Sequence, residues 1–173
     1  MFSREKQLKT GEYGVSSSLC SEAEDLSFLE EKKAVGIKAR TNNTSPDMGA
    51  VIGGLWGNFY SQGYYEAISG KVNEKVLGIY TEYAGNEKSD YTIVTACETD
   101  GKETIPEGTV LVTIPAGKYA KFVAKGDLHK AVAECWKEIW NTDLVRSFEC
   151  DFEEYQDGSM DEAEIHIYVG LKE

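Results

Sequence analysis

Apolar residues recur along this chain at two different periods. Met48, Val51, Ile52, Leu55, Trp56, Phe59 and Tyr60 are spaced by threes and fours, which puts them on one side of a helix. Leu128, Ala131, Val132, Cys135, Trp136, Ile139 and Trp140 repeat that stripe, with a tryptophan at the corresponding place. Ser45 is the expected N-cap of the first helix and Pro46 its first residue. Gly49, Gly53, Gly54 and Gly57 weaken this helix by roughly 1 kcal/mol each relative to alanine. Tertiary packing must therefore hold it, and its small residues are expected to allow close backbone approach.

Alternating segments surround both helices. "KKAVGIKAR" precedes the first and "KYAKFVAKG" the second. "VLGIYTEYAG" and "YTIVTACE" follow the first helix; "SFECDFEEYQDG" and "EIHIYVGL" follow the second. The order predicts an α+β fold. Two strand–helix–strand–strand units form an antiparallel sheet, with two helices on one face and a ligand cleft near the pseudo-twofold axis. The alternative is an α+β domain with two similar helices and no internal symmetry. Residues 1–27 are polar and aperiodic, an expected tail or extension. The domain is expected over 28–173, with repeats at about 28–101 and 108–173.

The strand "SFECDFEEYQDG" has one apolar edge, Phe148, Cys150 and Phe152, and one edge of Glu149, Asp151, Glu153 and Tyr155. With Val35, Ile37 and Ala39, and with Ile165, Ile167, Val169 and Leu171, the apolar edge is expected to lie under the helices. The acidic edge then belongs to the opposite face, beside His166, Tyr168 and Gly170. Tyr83, or its neighbours Tyr80 and Tyr91, is expected to join it, with Tyr119 or Phe122 from the central strand. A half-buried Glu153 among aromatic rings suits an organic cation, and the same carboxylate could serve as a general base. Glu149 and Glu154 read as surface charges. Trp56, Trp136 and Trp140 read as core.

Charge narrows the partners. Thirty acidic and eighteen basic residues give a net charge of −12, which opposes direct nucleic-acid binding. No apolar run is long enough to span a bilayer, and the N-terminus lacks a secretory pattern, so a cytoplasmic protein without membrane contact is expected. Cys20, Cys97, Cys135 and Cys150 have no CxxC spacing and read as buried thiols. With only His129 and His166, no metal site or cofactor is expected.

The ordered motifs "AVGIKARTNN", "GGLWGNFY", "IYTEYAG", "DYTIVTACE", "TIPAGKYAKFVAKG", "CWKEIW" and "DFEEYQDG" resemble the GyrI-like, or bacterial transcription-activator effector-binding, family. The resemblance runs from about Phe28 to Glu173. It implies a multidrug-type binding domain in which Glu153 is the sheet acid that meets lipophilic cations, with Tyr155 and Tyr168 lining the cleft. Tyr83 and Tyr119 complete the expected ligand set. Aligning the repeats without gaps puts Thr81 where Glu153 stands, so one half carries the acid. Some 27 residues ahead of the domain are too few for a helix-turn-helix, so the expected role is a stand-alone small-molecule binding protein, more a binder than an enzyme. The alternatives are a hydrolase of cyclopropane-bearing compounds with Glu153 as catalytic base, and a gyrase-inhibitor-like interaction protein whose partner the sequence does not name.

Overall fold

The computed structural model describes Cys20 and residues 25–172. Among the described residues, eight strands and three helices follow in the order β1 (Asp25–Leu29), β2 (Lys32–Thr41), α1 (Met48–Ser61), α2 (Tyr64–Ala67), β3 (Val76–Thr81), β4 (Tyr91–Thr99), β5 (Val110–Ile114), β6 (Gly117–Gly126), α3 (Leu128–Trp140), β7 (Arg146–Tyr155) and β8 (Ala163–Leu171). The strands form one antiparallel sheet in the order β1-β6-β8-β7-β3-β4-β2-β5. Its two halves, β6-β8-β7 and β3-β4-β2, meet at the β7–β3 ladder, and each carries one long helix. Ile114 and Tyr119 come from strands near opposite ends of the sheet yet share one buried cluster, so the sheet is curled.

Both helices lie on the same face. α1 seals Leu55 and Phe59 against Val35, Ile37 and Ile93. α3 seals Ala131, Cys135 and Ile139 against Phe122, Ile165 and Ile167. The helix-side placement of the β2 and β8 apolar sets is as expected. That of β7 is inverted. Phe152 and Cys150 join Leu77, Ile79 and Tyr119 on the far face, while Asp151 and Glu153 lie under the helices, 0% and 2% exposed. The curl explains the inversion. Because both faces are buried, alternation along β7 separates two interiors rather than an inside from an outside. Phe148 leaves its apolar neighbours because a bulge lies between Arg146 and Asp151, where Phe148 takes a φ of +55°.

Three further expectations change. α1 starts at Met48 behind Asp47, and Asp47 makes no side-chain cap. Ser45 instead donates its hydroxyl to Asp47, inside a turn anchored by the Asn42 side chain, which accepts from the Thr44 amide at 3.0 Å. The α1 glycines do not serve close approach, since a Cβ at Gly49, Gly53, Gly54 or Gly57 would meet nothing within 4 Å. The boundary between residues 27 and 28 falls inside β1, which pairs with β6. The rest of the proposed tail, apart from Cys20, lies outside the described residues.

Cys20 is bonded to Cys135 of α3, so these two are not thiols; Cys97 and Cys150 are free and buried. Burial pushes the Cys97 thiol up to about 11. The disulfide spans 115 residues of sequence and restricts the unfolded chain accordingly. Cys20→Ser should lower stability by about 2–4 kcal/mol in urea denaturation, with the wild type under reductant falling to match. Equal stability of oxidised protein and variant would mean that the bridge contributes nothing.

Candidate ligand-binding site

A cleft of about 1280 Å³ lies between α1, α3 and the sheet. α1 contributes Met48, Ile52, Trp56 and Tyr60 to one wall, and α3 contributes Leu128, Val132, Trp136 and Trp140 to the other. These are the same stripe positions in each repeat, so the helices use one edge of the stripe for the core and the other for the cleft. The tryptophans, expected in the core, stand in the walls. An indole has an apolar body and a donor N–H, so it suits a boundary between packed interior and open space.

Glu153 forms the floor. Its Oε2 accepts from Trp136 Nε1 at 2.7 Å and from the Tyr80 hydroxyl at 2.9 Å, and its Oε1 accepts from the Tyr155 hydroxyl at 2.8 Å. Its place follows from the register. Glu153 pairs with Gly78 across the seam and with Ile167 on the other side. A Cβ at Gly78 would lie 2.9 Å from Glu153 Oε1 and 3.3 Å from Trp56, so glycine leaves the room the carboxyl group occupies. Burial pushes the Glu153 pKa up from 4.5, opposed by the hydrogen bonds from Trp136, Tyr155 and Tyr80. Those phenols pay in turn: burial and the Glu153 charge raise Tyr80 and Tyr155 well above 10, and Tyr91 to about 12.

A second buried carboxylate stands beside it. Asp151 accepts from Arg146 Nη2 at 2.7 Å, from the Tyr83 hydroxyl, and from the Gly170 amide at 2.8 Å. Arg146 lies over the Phe148 ring, 4.3 Å from its centroid. Tyr83 reaches this side because Glu82 takes a φ of +53°, which breaks the alternation that would otherwise oppose Tyr83 to Tyr80.

Of the residues expected from sequence, the cleft brings together Glu153, Tyr155 and Tyr83. Tyr119 and Tyr168 stand on the other face. Tyr119 donates to the Pro115 carbonyl at 2.7 Å, and Tyr168 stacks on Phe152 with ring centroids 4.7 Å apart. The cause is the β7–β8 register, which opposes Tyr168 to Phe152 rather than to Glu153. The ungapped repeat alignment is off as well. Thr81 pairs with Cys150 on the far face, whereas Tyr80 pairs with Asp151 on the helix side. Sequence reasoning missed Trp136 and Arg146. The signal for Trp136 was its matching place in both stripes; nothing in the pattern marked Arg146. Among the described residues, no three His, Cys, Asp or Glu side chains are grouped to hold a metal ion.

A model of the Cass2 family, described as integron-associated effector-binding protein, matches residues 25–171. The chain belongs to this family. No curated protein matches the chain. Among solved structures, this Cass2-family chain is similar to an integron cassette protein from the mobile metagenome of Vibrio cholerae, with 24% identity over 86% of this chain and 95% of that one and a TM-score of 0.69. SAV2435 bound to tetraphenylphosphonium gives 22%, 86%, 93% and 0.71. EcmrR in a DNA complex gives 17% identity over the whole of this chain and 65% of that one, with a TM-score of 0.62. At these identities the likeness is one of fold. No helix of the described residues is long and apolar enough to cross a membrane.

The raised Glu153 pKa fixes the sign of a pH effect in this Cass2-family chain. A carboxyl group whose folded pKa lies above its unfolded one stabilises the fold below the unfolded value, and that contribution is lost as pH rises through the folded value. Relative to wild type, Glu153→Gln should therefore gain stability as pH rises upward from 4.5. Urea titrations across that range check it; a difference independent of pH would contradict the shift.

Proposed function

We propose that this protein binds lipophilic organic cations between α1 and α3, for sensing or sequestration. One observation carries the reading: a carboxylate 2% exposed forms the floor of a cleft with aromatic walls. Desolvation disfavours its charge, and a cation arriving above it relieves that penalty. The rings of Trp56, Tyr80, Trp136 and Tyr155 add attraction through their faces and fill the space around bulky apolar groups. Charge around the cleft has the same bias: Arg146 is neutralised by Asp151, and Glu74, Glu87 and Asp157 outnumber Lys137. The structural relative solved with tetraphenylphosphonium supports the same ligand class. Both oxygens of Glu153 already accept hydrogen bonds, which suits a fixed counter-charge better than a base acting on water.

Titration with tetraphenylphosphonium should quench the tryptophans of the cleft and saturate. Glu153→Gln should weaken binding by roughly tenfold or more, about 1.4 kcal/mol, with an unchanged circular dichroism spectrum. Wild-type affinity should also fall as pH drops through a midpoint above 4.5, since protonation removes the charge. Equal affinity in variant and wild type would remove the electrostatic basis of the proposal.

A further inference from the structure

The two repeats correspond row by row across the sheet. Ala39, Ile93 and Tyr80 lie side by side on β2, β4 and β3, and Ala124, Ile165 and Tyr155 lie side by side on β6, β8 and β7. The adjoining rows on the same face are Ile37, Thr95 and Gly78 in one half and Phe122, Ile167 and Glu153 in the other. Gly78 therefore stands where Glu153 stands. The helices add Trp56 and Trp136 at matching stripe positions, and both line the cleft. In the second half this indole is satisfied, because Trp136 donates its N–H to Glu153. In the first half no acid awaits Trp56. Its Nε1 donates to nothing among the described residues. Among those residues only Thr95 Oγ1 and Arg146 Nε are sealed off without a partner, so the Trp56 N–H is open to solvent. The edge that bears it faces the floor. Cζ2, bonded to the same ring carbon as Nε1, would lie 3.3 Å from a Cβ at Gly78, and Glu153 Oε1 would lie 2.9 Å from that point. The other aromatic donors around the floor are already committed: Tyr80 and Tyr155 to Glu153, Tyr83 to Asp151 and Tyr91 to Asn43.

We infer that the Trp56 indole N–H is a specificity-determining donor, which selects cations carrying a hydrogen-bond acceptor, such as an ether or carbonyl oxygen, a few bonds from the charge. The ligand's acceptor takes the part that an acid at position 78 would play. In the empty cleft the N–H is hydrated. A ligand that displaces this water without offering an acceptor leaves the donor unpaired in an apolar surrounding, which costs affinity; an acceptor-bearing ligand avoids that cost. Charge and acceptor must be close together because Glu153 and the Trp56 edge converge on the same glycine. This rests on the cation-binding reading for the charge above Glu153 and adds a second point of attachment.

The test pairs two cations of nearly equal shape, butyltriphenylphosphonium and (2-methoxyethyl)triphenylphosphonium, in which an ether oxygen replaces one methylene. Wild type should bind the ether about threefold or more tightly, although it is the less hydrophobic of the two. W56F keeps an aromatic ring and loses the donor; it should bind the two within about twofold of each other, or prefer the butyl probe. E153Q should weaken both alike and keep their ratio. Because the readout is that ratio, a general loss of packing in W56F does not imitate the effect. In proton–nitrogen NMR spectra, the indole resonance missing from W56F should lie further downfield with the ether than with the butyl probe. Equal affinity of wild type for the two probes, or a preference for the ether that survives in W56F, would overturn the inference. Failure of the charge reading would appear elsewhere, as unchanged affinity of E153Q for both cations or as no binding of either by wild type.

Discussion

An ionised carboxylate cannot lie beneath helices unless donors surround it, and the arrangement of this protein follows from meeting that demand at Glu153. The three donors come from three separate elements: Tyr80 on β3, Tyr155 on β7 and Trp136 on α3. Each must sit within hydrogen-bond distance at once. The seam register, the glycine at position 78 and the rotation of α3 are therefore coupled through one side chain. Hydrogen bonds to a charged acceptor are each worth about 1.5–3 kcal/mol, enough to offset much of the desolvation but, here, not to restore an ordinary pKa.

The two halves use the same scaffold differently. β3 and β7 are neighbours across the seam, and their helix-side positions hold Gly78 and Tyr80 on one strand against Glu153 and Asp151 on the other. One half supplies the acids, and the other supplies a donor and the space. The helices follow the same division, with glycines on α1 opposite side chains on α3. Symmetric backbones thus enclose an asymmetric cleft, so a bound molecule would have a defined orientation.

Much of this was legible in the residues. The 3.6-residue stripes located both long helices, the alternating segments located six of the eight strands, and the duplicated order gave the architecture. Glu153 stood out because an acid amid aromatic residues is chemically conspicuous. The face it occupies did not. Alternation separates two sides of a strand without saying which is which, and the usual guide, that polar means solvent, fails where a curled sheet buries both. Register decides Tyr168, and a single strand carries no register. The left-handed residues Glu82 and Phe148 shift Tyr83 and Phe148 across the sheet, and neither residue type announces such a backbone. The Cys20–Cys135 bridge was hidden because the partners lie far apart in sequence and only the fold brings them together.

The cleft has its floor on the joint between repeats. Val76, Tyr80, Glu153 and Tyr155 belong to two strands that touch only where the halves meet, and each wall belongs to a different half. Neither repeat in isolation owns a recess; each would present one helix edge and a single strip of sheet to water. The cavity is thus a property of the union, and its width is set by the seam that also holds Leu77 and Ile79 of one half against Cys150 and Phe152 of the other.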